Sequence, residues 1–140
     1  MPSCTFIGHK DAPKEIEPIL ESTLSALITN ENVTEFFVGT QGNFDFLAQK
    51  VLRNLKQEFP NINYTIVLAY LSENHNYDYR FTLFPDELEN TPRRFAIDRR
   101  NKWMVKTCDY LVCFVRHNFS NAHKYKDYAE NKNKKIINLH

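Results

Sequence analysis

Glycine is scarce in this 140-residue chain: Gly8, Gly39 and Gly42 are all it has. No G-x-x-x-x-G-K-[ST] loop and no G-x-G-x-x-G turn can be assembled from them, which excludes a P-loop nucleotidase and the ordinary dinucleotide fingerprint. Cysteine is equally sparse. Cys4, Cys108 and Cys113 make no disulfide framework, and without a C-x-x-C or H-x-x-x-H spacing they make no metal site. They read as buried packing material in a reducing compartment. Long apolar runs are missing too, so no membrane span is expected. The apolar run after Met1-Pro2-Ser3-Cys4 meets Gly8 at once, too soon for a signal peptide, and the cytoplasm is the expected location. Nothing resembles a nucleophile elbow. Net charge is only +1, which lacks the cationic excess of a nucleic-acid binder.

What is present suits a globular domain. Hydrophobic residues make up 42% of the chain and aromatic residues 14%, enough to close one core over residues 1–140 without metal or disulfide. Short β runs alternate with amphipathic stretches. Strands are expected at Cys4–Ile7, Phe36–Val38, Tyr64–Tyr70, Tyr110–Val115 and Lys135–Leu139. Helices are expected from about Lys14 to Thr29, Asn43 to Glu58, Arg93 to Thr107 and Ala122 to Glu130. Asn43 is the expected cap of the second helix. Residues 71–92 break the alternation with tyrosines, polar residues, Pro85 and Pro92, and read as an excursion over a sheet edge. Five β runs separated by helices predict an α/β fold: a doubly wound, mainly parallel five-stranded sheet with helices on both faces.

All three glycines fall where strands end. In open α/β sheets ligands bind beyond the strand C-termini, and the next helix offers free N–H groups and a positive dipole end to an anion. Gly39-Thr40-Gln41-Gly42-Asn43 is thus a candidate phosphate cradle, although a structural turn explains one such glycine as often. His9 beside Gly8 can hydrogen-bond a ligand or simply be solvated. Asp45 suits a helix start and can also contact ribose hydroxyls. Charge is unevenly spread: residues 1–92 carry 6 Lys/Arg against 13 Asp/Glu, and residues 93–140 carry 12 against 4. The halves neutralise each other across the fold or leave a basic surface for an anion. On the helix after Pro92, Ile97, Arg100, Asn101, Met104 and Cys108 share one face, while Arg99, Lys102 and Lys106 point away. An arginine among apolar neighbours needs an acceptor: an internal carboxylate such as Asp45 or Asp109, or a ligand phosphate.

These segments together resemble the SLOG superfamily, the Rossmann-like group that includes the LOG phosphoribohydrolases and the DNA-processing A proteins. Thr5-Phe6-Ile7-Gly8-His9-Lys10 looks like its "FTGHR" start. Gly39-Thr40-Gln41-Gly42-Asn43-Phe44-Asp45 is similar to its "GGxxGxD" turn, and Phe95 through Met104 to its "RFAIxxRNxWM" element. Ala122 through Leu139 is similar to its "GGA…A…KKVINL" finish. The likeness is to the small stand-alone bacterial members. It implies binding of a nucleotide or nucleotide-derived, phosphate-bearing small molecule as sensor or carrier. The implied contacts are Gly8, His9, Gly39, Thr40, Gly42, Asn43, Asp45, Arg100, Asn101, Ser120 and Asn121. No cofactor is implied, and dimerisation is, through residues 71–92 or the 93–107 helix. In LOG enzymes an arginine helps cleave an N-glycosidic bond, and by spacing from Met104 Arg100 takes its place as the candidate catalytic residue. The alternative function is therefore a weak nucleoside-monophosphate phosphoribohydrolase. The chain departs from that pattern at Asn118-Phe119-Ser120-Asn121-Ala122, where the paired glycines and the glutamate are missing. Single-strand DNA binding is the third alternative, and the near-neutral charge argues against it.

Overall fold

A computed structural model describes residues 2–140, with the side chains of residues 73–75 outside the description. Six parallel strands form one sheet in the order β4-β3-β2-β1-β5-β6. They are β1 Ser3–Gly8, β2 Glu35–Val38, β3 Asn63–Val67, β4 Thr82–Leu83, β5 Tyr110–Phe114 and β6 Lys135–Asn138. The helices are α1 Glu17–Glu31, α2 Gly42–Glu58, α3 Ala96–Thr107 and α4 Asn121–Asn131.

The two-residue period of the strands sorts side chains between two cores. Cys4 and Phe6 of β1, with Tyr110, Val112 and Phe114 of β5, face α1 and α2, where Leu20, Leu24, Leu27, Phe44, Val51, Leu52 and Leu55 meet them. Ile7, Leu111, Cys113 and Val115 face the opposite way, onto Met104 and Val105 of α3 and Tyr125 and Ala129 of α4. Both faces are thus covered, as a parallel sheet requires.

Local chemistry sets the helix limits. Pro18 occupies the second position of α1, where its missing N–H costs nothing. The helix ends at Asn32, which adopts φ 57°, a left-handed conformation that asparagine tolerates. A single 3-10 turn at Lys14–Ile16 precedes α1, and another at Arg93–Phe95 precedes α3, so both α-helices begin three residues later than the periodicity predicts. The expected cap at Asn43 is not made. Gln41 is the N-cap residue, and Asn43 instead reaches back across the corner, its backbone N–H to the Lys10 carbonyl at 2.9 Å and its side-chain amide to Ala12 at 3.4 Å.

The excursion supplies the sixth strand, which corrects the five expected. Thr82–Leu83 pairs in parallel with Ile66–Val67 at the sheet edge, and the Leu68 N–H donates to the Leu83 carbonyl at 2.8 Å. Two residues are too short a run to show alternation. Tyr64 stacked on Phe81 at 5.0 Å and buried Leu88 hold the segment down. No helix among the described residues is long and apolar enough to cross a membrane.

Candidate functional site

The chain runs outward from β1 through β2, β3 and β4, then returns by α3 to the other flank of β1. The strand order therefore reverses between β1 and β5. Loops leaving these two strands diverge to opposite faces and open a crevice at their C-terminal ends, the position where doubly wound sheets bind ligands. A cleft of about 610 Å³ lies there. Gly8 to Asp11 line it from β1, Gln41 and Asp45 from the β2–α2 corner, Ile97, Asp98 and Asn101 from α3, and His117, Ser120 to Ala122, Lys124 and Tyr125 from the start of α4.

Of the residues expected at a site, Gly8, His9, Asp45, Asn101, Ser120 and Asn121 line this cleft, whereas Gly39, Thr40, Gly42, Asn43 and Arg100 do not. The glycines answer first to their protein neighbours. A Cβ on Gly8 would stand 2.3 Å from the Phe44 ring, and one on Gly39 would stand 2.8 Å from Asp45 Oδ2 and 3.1 Å from Arg100 Cζ. Gly42 has φ +86°, and its Cβ would meet the Lys10 backbone at 2.6 Å.

Arg100 is fully buried beneath the cleft. Its guanidinium donates to Thr40 Oγ1 and to the Val67 carbonyl, each at 3.0 Å, and to Asn101 Oδ1 at 2.8 Å. It thereby ties α3 to the ends of β2 and β3. Of the two internal carboxylates offered for it, Asp45 is the neighbour. Asp109 lies at the N-terminal ends of β1 and β5, opposite the cleft, where it accepts from the Ser3 N–H at 3.0 Å. The influence of Arg100 reaches the cleft through Asn101, which contacts the Tyr125 hydroxyl. Tyr125 in turn donates to Asp98 Oδ1 at 2.8 Å.

Two carboxylates in the cleft are driven in opposite directions. Asp45 is buried, and desolvation pushes its carboxyl up to about 6, although the Arg100 charge and a 2.9 Å hydrogen bond from the Gln41 N–H pull it down. Asp98 is partly desolvated, which would raise it. Bonds from Lys124, Tyr125 and Lys102 outweigh that and hold it below the usual carboxylate range. One group thus takes up its proton at a higher pH than an ordinary carboxyl, and the other stays ionised to a lower one.

His9 joins the two central corners. Its Nε2 accepts the Arg116 N–H at 2.8 Å, and its ring stacks on His117 at 4.8 Å. Burial, then His117 and Arg116, lower its pKa and keep the imidazole neutral, as an Nε2 acceptor must be. Ser120 caps α4 by accepting the His123 N–H at 3.1 Å. Burial pushes the thiols of Cys108 and Cys113 up to about 12, so neither is a nucleophile near neutral pH. Among the described residues no cluster of three His, Cys, Asp or Glu side chains is gathered for a metal ion.

Sequence reasoning passed over Asp98, Lys124 and Tyr125. Helical spacing held the signal: Asp98 lies three residues before Asn101, and Lys124 and Tyr125 lie four after Ser120 and Asn121, on shared faces.

No family model matches the chain, and no curated protein matches it in sequence. Among solved structures it is similar to DNA processing protein A from Streptococcus pneumoniae, with a TM-score of 0.70 and 15% identity over 97% of this chain and 49% of that one. The chain spans about half the length of that neighbour. What the two share at this identity is the fold, a parallel α/β sheet of the Rossmann-like kind.

Proposed function

We propose that the β1–β5 cleft binds a nucleotide or nucleotide-derived molecule carrying a phosphate, as the resemblance to the SLOG superfamily implies. The observation that supports this most is positional. The cleft opens at the strand-order reversal and is bounded by the start of α4, where unpaired helix N–H groups and the dipole favour an anion. The phosphate sits by Ser120 and Asn121, with Lys10 and Lys124 supplying positive charge. Asp45 takes sugar hydroxyls, and Asn101 and Tyr125 form the wall opposite. Arg100 serves as a positioning residue, since its guanidinium is turned to Thr40, Val67 and Asn101 rather than to the cleft.

The likeness to a DNA-processing protein also brings a polynucleotide to mind. The cleft favours a small ligand: its lysines are Lys10 and Lys124, whereas strand binding draws on many cations along a groove. The test is calorimetric titration with the nucleoside 5′-monophosphates, with each mixture also assayed for free base. Binding that weakens in Lys10→Ala and Lys124→Ala, without base release, supports a sensor or carrier. Base release lost in Asp45→Asn would make the protein a hydrolase instead. Failure of every mononucleotide to bind at millimolar concentration would sink the proposal.

A further inference from the structure

Beyond the cleft, a second depression of about 420 Å³ runs along the outer side of α4. Ser120 and Lys124 line both, so the two hollows adjoin across the first turn of that helix. Two lysines meet at the junction. Asp98 is shared by two ammonium groups, Lys124 at 2.8 Å and Lys102 at 3.3 Å, and Lys102 lines the outer hollow. The outer hollow also holds Asp127, 3.4 Å from His123, so the charges balance and the ridge gathers two ammonium groups as hydrogen-bond donors. Phe119 borders the outer hollow and is 96% exposed. An aromatic ring left in water beside this ridge has no role in the core. Such a ring offers a stacking face to any planar base.

From this juxtaposition we infer that the ligand is a dinucleotide: one nucleoside in the cleft, the phosphate linker over the Ser120–Lys124 ridge, and the second base stacked on Phe119. Both hollows fall within the range of about 300–1,000 Å³ usual for small-ligand sites. A mononucleotide fills only the first. This inference rests on the nucleotide proposal above and extends it to the ligand's second half.

The experiment compares three probes by calorimetry: adenosine 5′-monophosphate, ADP-ribose and diadenosine 5′,5′-diphosphate. ADP-ribose keeps the linker and second sugar but lacks the second base. Diadenosine diphosphate should bind about tenfold more tightly than ADP-ribose, the usual worth of one stacked base. Phe119→Ala should erase that advantage, and Phe119→Trp should keep it. Mononucleotide binding with no gain from the second base, or a gain that survives Phe119→Ala, overturns the outer-hollow assignment and leaves the cleft proposal standing. Silence from all three probes and from the other monophosphates removes both. A short thymidine strand that binds through Phe119 while the dinucleotide gains nothing from it assigns the ring to nucleic acid and also overturns the inference.

Discussion

Asp45 and Arg100 decide much of what happens at the residue scale. The carboxyl of Asp45 is raised by burial to about 6 in the folded protein, against about 3.9 in an unfolded chain. A raised acid favours folding fully below the unfolded value and loses that contribution as pH climbs through the folded one. Its stabilisation is therefore present below about pH 4 and gone above about pH 6, a swing of roughly 3 kcal/mol. His9, held neutral, leans the opposite way on acidification, so the informative quantity is the difference between wild type and Asp45→Asn. Measured by urea unfolding, that difference should shift against the wild type between pH 4 and 6, and a flat difference would show that Asp45 titrates normally. Arg100→Met strands the Thr40 hydroxyl, the Val67 carbonyl and the Asp45 charge together. It should cost about 3–5 kcal/mol, the usual consequence of removing one partner of a buried charge pair. Gly8→Ala drives a methyl group into the buried Phe44 ring. Denaturant titration should find it destabilised by about 1–3 kcal/mol.

Among the elements, α4 ties stability to the proposed site. Its N-cap Ser120 accepts the His123 N–H and lines both hollows. Ser120→Ala should lower stability by about 1 kcal/mol through the lost cap, and Ser120→Asp should restore it, because aspartate also caps and suits the dipole. If the first turn of α4 receives a phosphate, the two variants separate on binding: Ser120→Asp repels the nucleotide while remaining stable. Equal affinity in wild type and Ser120→Asp would place the phosphate elsewhere. Most of the elements were legible beforehand. Leu20, Leu24 and Leu27 on α1, and Phe44, Ala48, Val51, Leu52 and Leu55 on α2, recur at helical spacing and are buried together. β4 was not legible, because an edge strand of two residues carries no period and exists only through its pairing with β3.

At the scale of the whole molecule, the cleft is assembled from corners far apart in sequence: β1, the β2–α2 turn, α3 and the start of α4. A ligand bridging them should stabilise the fold as a unit, by about 2.7 kcal/mol at a hundredfold excess over Kd. Hydrogen exchange should then slow together at residues 8–11, 41–45 and 117–122, whereas protection confined to one corner would argue for a local surface contact.

The strand and helix alternation, the parallel sheet and the placing of glycines at strand ends follow from the sequence, because periodicity and turn chemistry act over a few neighbouring residues. What each glycine and Arg100 contacts was decided only by tertiary structure. The same spacing that put Arg100 on the inner face of its helix is compatible with a guanidinium aimed at a ligand or into the protein. Only the packing of α3 against the ends of β2 and β3 turned it inward, because there Thr40 and the Val67 carbonyl supplied the acceptors that a buried charge must have.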